Sequence, residues 1–241
     1  GGQQYSFYFR GKAIDKCARC QVLADEQDMV VDQALHELFN RPGRPGEEIK
    51  RGYFAYHYEP PAASLVAKAD RVPQLRPEVL QAFLPPEVIH FDQRGEFRTV
   101  TSIFISFLGV DDHQALNELA TLVLDQVNGF SGYFKEVDFG DKGGVMVAFF
   151  GAPVSFEKIT NRALECVLAI RREVEALQRR RPALKLRMGI TSGTAYTGLV
   201  GGKERCQYAA VGNRVNIAAR LMINADWGEV LVDEKIEGER G

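Results

Sequence analysis

Two side chains in the C-terminal part of the chain have the types and the spacing to act on phosphate. Asn216 and Arg220 are four residues apart in the stretch VGNRVNIAAR, which has helical apolar spacing after Gly212. On a helix this spacing puts both side chains on one face, near the helix N-terminus. A carboxamide beside a guanidinium can bind a phosphate or ribose oxygen there as negative charge develops on it. The alternative is that Asn216 caps a local turn and Arg220 is a solvated charge.

The segments around this pair predict the elements that position it. Residues 208–211 form a short apolar strand, Gly212 interrupts it, and residues 215–222 have the spacing of a helix. Upstream, the chain reads GITSGT at 189–194 and GLVGG at 198–202. Residues 207–232 are therefore predicted to be strand, turn, helix and strand.

These segments resemble the class III nucleotide cyclases, the adenylyl and guanylyl cyclases, whose pattern is roughly GIxxGxxxxGxVG followed by YxxxGxxVNxAxR. The resemblance covers residues 98 to about 236. It implies that Asn216 and Arg220 are catalytic, orienting the ribose and stabilising the transition state of phosphoryl transfer. It also implies that ATP is converted to cyclic AMP and pyrophosphate with the help of Mg²⁺ or Mn²⁺.

The metal carboxylates of that family are not evident in this sequence. In the family pattern FxDxxGFT the first aspartate ends the first strand, and Ser106 stands at that position in FISFLGVD. Asp141 resembles the second aspartate, but its place in the GDKGG turn of a long hairpin favours a turn residue over a metal ligand. We therefore expect no complete metal site in this domain.

Purine specificity in the family depends on two positions. One position corresponds to Glu136, with Lys135 beside it, and the other to Ala209, which cannot hydrogen-bond a base. Lys135 would indicate adenine and Glu136 guanine. Because adjacent residues of a strand face opposite ways, we expect only one of the two to point at the base.

An internal duplication connects the two ends of the chain. Residues 11–32 align with 212–233 at a constant offset of 201, with seven of 22 positions identical, and Asp15 and Arg19 align with Asn216 and Arg220. We therefore interpret residues 1–40 as the end of a first cyclase-like domain, 41–97 as a structured linker and 98–241 as the second domain.

This arrangement resembles the tandem-domain soluble adenylyl cyclases of the bicarbonate-responsive type. In that subgroup the first domain carries the metals and is the pseudo-dimer partner of the second. The missing part of the first domain would then bind Mg²⁺ or Mn²⁺. Its absence should also leave the apolar residues of 1–40, among them Val22, Val30 and Val31, without a covering sheet.

The order of elements after residue 97 predicts the fold class. A strand, a helix, two strands of a hairpin, a second helix and a further strand follow in turn, with Leu186, Met188 and Ile190 alternating inward on the last. This βαββαβ order is the ferredoxin-like α+β plan with additional strands and a helix, as the cyclase resemblance implies.

Composition limits the partners that the sequence predicts. A net charge of −2 over 241 residues gives no electrostatic reason to expect nucleic acid, and no apolar run of membrane-spanning length occurs. We expect a cytoplasmic protein that binds ATP and a second cyclase domain. The competing interpretations are a guanylate-specific cyclase and a catalytically inactive regulatory or nucleotide-sensing module, which Ser106 and Ala209 favour.

Overall fold

The computed structural model describes residues 5–40, 42, 45–57, 76–91, 95–110, 112–140, 143–202 and 206–237. Contacts divide the chain into two compact units. The smaller unit contains Phe9–Leu75 and Phe139–Asp141, and the larger contains Gly1–Tyr8, Arg76–Asp138 and Lys142–Gly241. Asp141 itself lies outside the described residues.

The smaller unit is a three-stranded antiparallel sheet with two helices. Its elements are α1 (Lys12–Leu23), β1 (Asp28–Asp32), α2 (Gln33–Phe39), β2 (Glu47–Lys50) and β3 (Tyr53–His57), and the strand order is β1-β3-β2. β1 pairs with β3 over its whole length, from Asp28 opposite His57 to Asp32 opposite Tyr53. This pairing crosses the boundary predicted at residue 40, so the first linker strands belong to the same sheet as the preceding segment.

That pairing also changes which apolar residues of the segment are covered. Val30 and Val31 were expected to lack a covering sheet, yet both are buried, and Val31 lies opposite Phe54 of β3. The expectation was wrong for these two residues because the covering strand comes from residues that we treated as linker. Val22 on α1 is exposed, as expected.

The larger unit has the predicted order of strands and helices. After the short helices α3 (Pro77–Phe83) and α4 (Pro86–Ile89) come β4 (Glu96–Leu108), α5 (His113–Gly129), β5 (Tyr133–Gly140), β6 (Gly143–Phe150), α6 (Ile159–Arg180), β7 (Lys185–Gly201), β8 (Cys206–Val211), α7 (Asn213–Asn224), β9 (Val230–Val232) and α8 (Glu234–Glu237). The sheet order is β5-β6-β4-β7-β8, and β9 pairs with β7 in parallel. The ferredoxin-like α+β prediction is confirmed.

Helix periodicity explains how the helices cover this sheet. The buried residues of α5 and α6 recur at helical spacing, and α6 contacts β4 and β6 while α5 packs against α6. Burying these stripes, at about 25 cal/mol per Å² of apolar surface, is the main stabilising term for the helices. α7 instead contacts β7 and β4. No helix of the described segments is both long and apolar enough to cross a membrane.

The two aligned segments have the same local structure. α1 and α7 are each 12 residues long and begin after Gly11 and Gly212, which differ by the offset of 201. The turn after each helix contains a residue with positive φ, Gln27 at 72° and Gly228 at 98°, again 201 apart. A short strand follows in both cases. The duplication seen in the sequence is thus also a duplication of structure.

The approach of α7 to β7 depends on a glycine. A Cβ atom at Gly189 of β7 would lie 2.2 Å from the carbonyl oxygen of Ala218 and 2.3 Å from the amide nitrogen of Met222. Both atoms are backbone atoms of α7, so no side-chain rotation can make room. Gly189, the first glycine of the GITSG segment, therefore sets the distance between helix and sheet.

We expect Gly189→Ala to destabilise the larger unit by about 3 kcal/mol, because the added methyl group must push α7 away from β7. Urea unfolding followed by circular dichroism would measure this change. Gly129→Ala is the matched control, since nothing lies within 4 Å of a Cβ atom at that position. Equal stabilities for the two variants would contradict the packing role of Gly189.

Candidate active site

Helix α7 presents the two predicted catalytic residues to solvent. Val215, Ala218 and Met222 are buried against the sheet, at the spacing of one helical face. Asn216 and Arg220 lie on the other side and are both exposed. The amide of Asn216 donates to the carbonyl of Gly212 at 3.2 Å, which closes the first turn of the helix. The predicted placement on one exposed face is therefore what the structure shows.

The polar groups of both side chains are available for a ligand. Within the described residues no hydrogen bond or ion pair engages the carboxamide of Asn216 or the guanidinium of Arg220. Arg220 accepts from Asn224 Nδ2 at 2.9 Å, but through its backbone carbonyl and not its guanidinium. An exposed guanidinium without an internal carboxylate can bind an incoming oxyanion without breaking an ion pair.

The N-terminal end of α7 is fixed by contacts that sequence reasoning missed. Arg214 forms an ion pair with Asp233, and its carbonyl accepts a hydrogen bond from Thr191 Oγ1 at 2.7 Å. Gly193 leaves room for the Arg214 side chain, because a Cβ atom there would lie 2.7 Å from Arg214 Cγ. The identity of Asp32 and Asp233 in the duplication was the available signal for this site.

The C-terminal end of α7 is fixed by Arg187 of β7. Its Nη1 donates to the carbonyls of Ile223 at 2.7 Å and Ala225 at 3.2 Å, and its guanidinium lies over the Trp227 ring at 4.6 Å. The last carbonyls of a helix lack intrahelical donors, so a cation placed there satisfies both hydrogen bonding and the helix dipole. α7 is thus held at both ends while its outer face stays free.

A buried aromatic cluster joins the strands that carry the predicted purine-selecting residues. β5 and β8 are at opposite ends of the strand order, yet the rings of Tyr133 and Tyr208 are 5.6 Å apart and perpendicular. Phe91 packs edge-on against Tyr208 at 5.3 Å, and Val215 of α7 belongs to the same cluster. The sheet therefore curls enough to bring its two edges and α7 together.

Burial keeps the two tyrosines of this cluster neutral. It raises the pKa of Tyr133 to about 12 and raises the pKa of Tyr208 as well. Both phenols therefore stay protonated near neutral pH. Asn216 follows Val215 in sequence, Ala209 follows Tyr208, and Lys135 lies two residues after Tyr133, so the predicted site residues border one cluster.

The structure pairs Lys135 with Glu136. The ammonium and the carboxylate form an ion pair, with the Lys135 side chain 12% exposed and that of Glu136 35% exposed. Neighbouring residues of a strand were expected to point to opposite faces, but the long lysine side chain reaches the carboxylate beside it. Each charge is compensated by the other. Ala209 is buried and pairs with Gly198 of β7.

The position of the first family aspartate does not fit a divalent cation. Ser106 is fully buried on β4, and its Oγ has no hydrogen-bond partner. Its register neighbours are Val145 on β6 and Arg187 on β7, which offer one apolar side chain and one cation. Magnesium and manganese require several oxygen ligands, with carboxylates among them. In the described part of the chain no group of three acidic, histidine or cysteine side chains could hold a metal.

Two clefts of the larger unit lie away from these residues. One of about 650 Å³ is lined by Gln114, Asn117, Glu118, Thr121, Arg180 and Arg181. The other, of about 240 Å³, is lined by Pro85, Glu87, Asn128, Ser131, Gly132, Tyr133, Ala152, Pro153, Val154 and Phe156. Neither cleft includes Asn216 or Arg220, and both residues are exposed in the described part of the chain.

Comparison with known proteins identifies a family and several relatives that this chain resembles. The family described as adenylate and guanylate cyclase catalytic domain matches residues 98–238. Adenylate cyclase 1 of Rhizobium meliloti (strain 1021) is 30% identical over 166 residues, which is 61% of this chain and 25% of that protein. An uncharacterized protein of Mycobacterium tuberculosis (strain ATCC 25618 / H37Rv) is 30% identical over 137 residues, 53% of this chain and 24% of that protein.

Solved structures share the fold. The adenylyl cyclase CyaB from P. aeruginosa has a TM-score of 0.52 and 23% identity, covering 61% of this chain and 82% of that chain. The guanylyl cyclase Cya2 has a TM-score of 0.52 and 19% identity, covering 61% and 80%. The chain spans about a quarter of the length of the curated relatives it matches. Because the family match covers more than half of the chain, this protein belongs to the adenylate and guanylate cyclase catalytic-domain family, the class III nucleotide cyclases.

Proposed function

We propose that the larger unit is the second catalytic-homology domain of an adenylate cyclase and completes an active site at an interface with another cyclase domain. The observation that carries this proposal is the exposed, unengaged pair Asn216 and Arg220 on a helix fixed at both ends. Such a surface can stabilise charge on a substrate, and neither of the two clefts described above includes it. A facing domain supplies the rest of the site.

The reaction explains why these two side chains are needed. The ribose 3′-oxygen of ATP attacks the α-phosphorus, loses its proton, and displaces pyrophosphate to give cyclic AMP. Negative charge develops on the phosphoryl oxygens during this displacement. Arg220 donates hydrogen bonds to that charge, and Asn216 holds the ribose so that the attacking oxygen is in line. Mg²⁺ or Mn²⁺ belongs to the facing domain, since Ser106 provides no carboxylate here.

The partner that we propose is a first cyclase domain of the same protein. The smaller unit repeats α7 and the strand after it, with Asp15 and Arg19 at the positions of Asn216 and Arg220. We assign this segment to the C-terminal part of that first domain. The two domains then form a pseudo-dimer in which one site has metals and the other does not.

Adenine is the purine that we propose, and guanine is the alternative. The named relative with 30% identity is an adenylate cyclase, whereas both adenylyl and guanylyl cyclases share the fold. Lys135 and Glu136 neutralise each other, and Ala209 offers no side-chain hydrogen bond. The remaining purine contacts therefore come from backbone groups or from the facing domain.

A second candidate function is a regulatory domain without catalysis. It is favoured by the buried Ser106 at the metal position and by Ala209 at a purine position. In that case Arg220 would bind a nucleotide or a partner without affecting any reaction rate. The loss of rate on truncating Arg220 separates the two candidates.

Ser106→Asp alone should not create a metal site, because one buried carboxylate beside Arg187 cannot provide the oxygen ligands that a divalent cation requires. We expect 5 mM Mn²⁺ to change the melting temperature by less than about 1 °C, since a ligand stabilises only a fold that binds it. Ser106→Asn is the uncharged control. A manganese-dependent rise in melting temperature that occurs only in the aspartate variant would refute this interpretation of the site.

The purified 241-residue chain should form no cyclic AMP or cyclic GMP with Mg²⁺ or Mn²⁺. Ser106 occupies the position of the first metal carboxylate, and in our proposal the facing domain supplies the metals. Product formation would be measured by chromatography with ATP and GTP in separate assays. Arg220→Ala provides the background. Activity clearly above that background would mean that this chain holds a complete site.

In the active assembly of this chain with its metal-bearing domain, Arg220→Ala should lower kcat by about 10² to 10³ with little change in KM. Such a loss corresponds to about 3 to 4 kcal/mol for a donor that acts on developing charge. Steady-state kinetics with ATP and GTP would measure it and identify the purine.

The matched control for this measurement is Arg19→Ala, which changes the duplicate residue of the metal-free site. We expect its cost to be about tenfold at most, because Arg19 would act only on the interface. Equal losses of kcat for the two variants would mean that the active site is assigned to the wrong half of the pseudo-dimer.

A further inference from the structure

Arg214 has an unusual location for a cation. It lies in the first turn of α7, where the helix dipole makes a positive charge unfavourable. Its side chain is 21% exposed, and that of Asp233 is 13% exposed. The ion pair with Asp233 compensates both the dipole and the partial burial, so the loss of either partner would leave a poorly solvated charge.

Three contacts converge on this one residue. Besides the pair with Asp233, the Arg214 side chain occupies the space left by Gly193, and the Arg214 carbonyl accepts from Thr191 Oγ1. Asp233 is itself held, because its amide donates to the carbonyl of Ile190 at 3.0 Å. Arg214 therefore links the start of α7 to β7 and to the end of β9.

The duplicated segment contains an equivalent clamp built from a different position. Asp32, the counterpart of Asp233, forms an ion pair with Lys16 of α1 at 2.5 Å. Lys16 aligns with Ile217, however, and Arg214 aligns with Ala13, so the two cations are one helical turn apart in the repeat. The feature common to both copies is the link from helix to strand end, and each copy makes it with its own cation.

We propose that Arg214 and Asp233 are positioning residues that fix the angle at which Asn216 meets the ribose and Arg220 meets the α-phosphate. This inference rests on the proposed function. Arg214 is two residues before Asn216, so a shift in the first turn moves that carboxamide directly and rotates Arg220 about the helix axis. Small misplacements of catalytic groups lower the reaction rate strongly, because a donor stabilises the developing charge only at the correct distance.

The test compares Arg214→Ala and Asp233→Asn with Arg220→Ala in the active assembly. We expect kcat to fall by roughly 3- to 10-fold in each clamp variant, with KM changed less than about twofold. Arg214→Lys should recover part of the loss, because it keeps the charge that pairs with Asp233. Lys16→Ala and Asp32→Asn are the matched controls, since they break the equivalent clamp in the other copy.

A second readout separates positioning from simple loss of folded protein. The ratio of kcat for ATP to kcat for the analogue with sulfur on the α-phosphate does not depend on the fraction of folded enzyme. Sulfur is a poorer hydrogen-bond acceptor than oxygen, so Arg220→Ala should lower this ratio. We expect both clamp variants to move the ratio toward the Arg220→Ala value and the two controls to leave it at the wild-type value.

Three results would overturn the inference in distinguishable ways. If Arg220→Ala loses activity while the clamp variants keep the wild-type ratio, the positioning role is refuted and the proposed function stands. If Arg220→Ala keeps full activity, the proposed function fails and the positioning role fails with it. A shift of the ratio in Lys16→Ala as large as in Arg214→Ala would also refute a role specific to α7.

Discussion

The close packing of α7 on β7 is the constraint on which the rest of the site depends. At Gly189 the helix backbone lies where any side chain would collide with it. Gly193, four residues later, leaves space for the side chain of Arg214. Both glycines of this segment thus serve packing against α7. A helix held this closely can present Asn216 and Arg220 in fixed positions.

In the proposed function the site is one half of a larger arrangement. Charge-stabilising donors are present and exposed on α7, whereas Ser106 at the metal position is buried beside a cation and an apolar side chain. These two features have separate physical requirements, since a guanidinium needs only a rigid support and a divalent cation needs converging oxygens. A domain without metal ligands can therefore still have the rigid helix that the proposed function requires.

The duplication shows which parts of this support are repeated. Four features recur at one offset: the helix length, the preceding glycine, the positive-φ residue of the following turn and the aspartate at the strand end. The cation that pairs with this aspartate does not recur at the same helix position. Backbone geometry is specified by a few residues with special conformations, while an ion pair can be formed by any long side chain within reach.

Much of the secondary structure, and the placement of the two candidate catalytic residues, could be predicted from the sequence alone. Helical and alternating periodicity predicted α5, α6 and β7, because burial on one face imposes a regular spacing that the sequence displays. The placement of Asn216 and Arg220 together followed from their separation on one helix. The tertiary structure alone decided the contact of Tyr133 with Tyr208, because β5 and β8 meet only when the sheet curls. It also decided the pairs Arg214–Asp233 and Lys135–Glu136 and the covering of β1 by β3. Such contacts and the rotamers of long side chains depend on the relative positions of whole helices and strands. Local sequence patterns do not specify those positions.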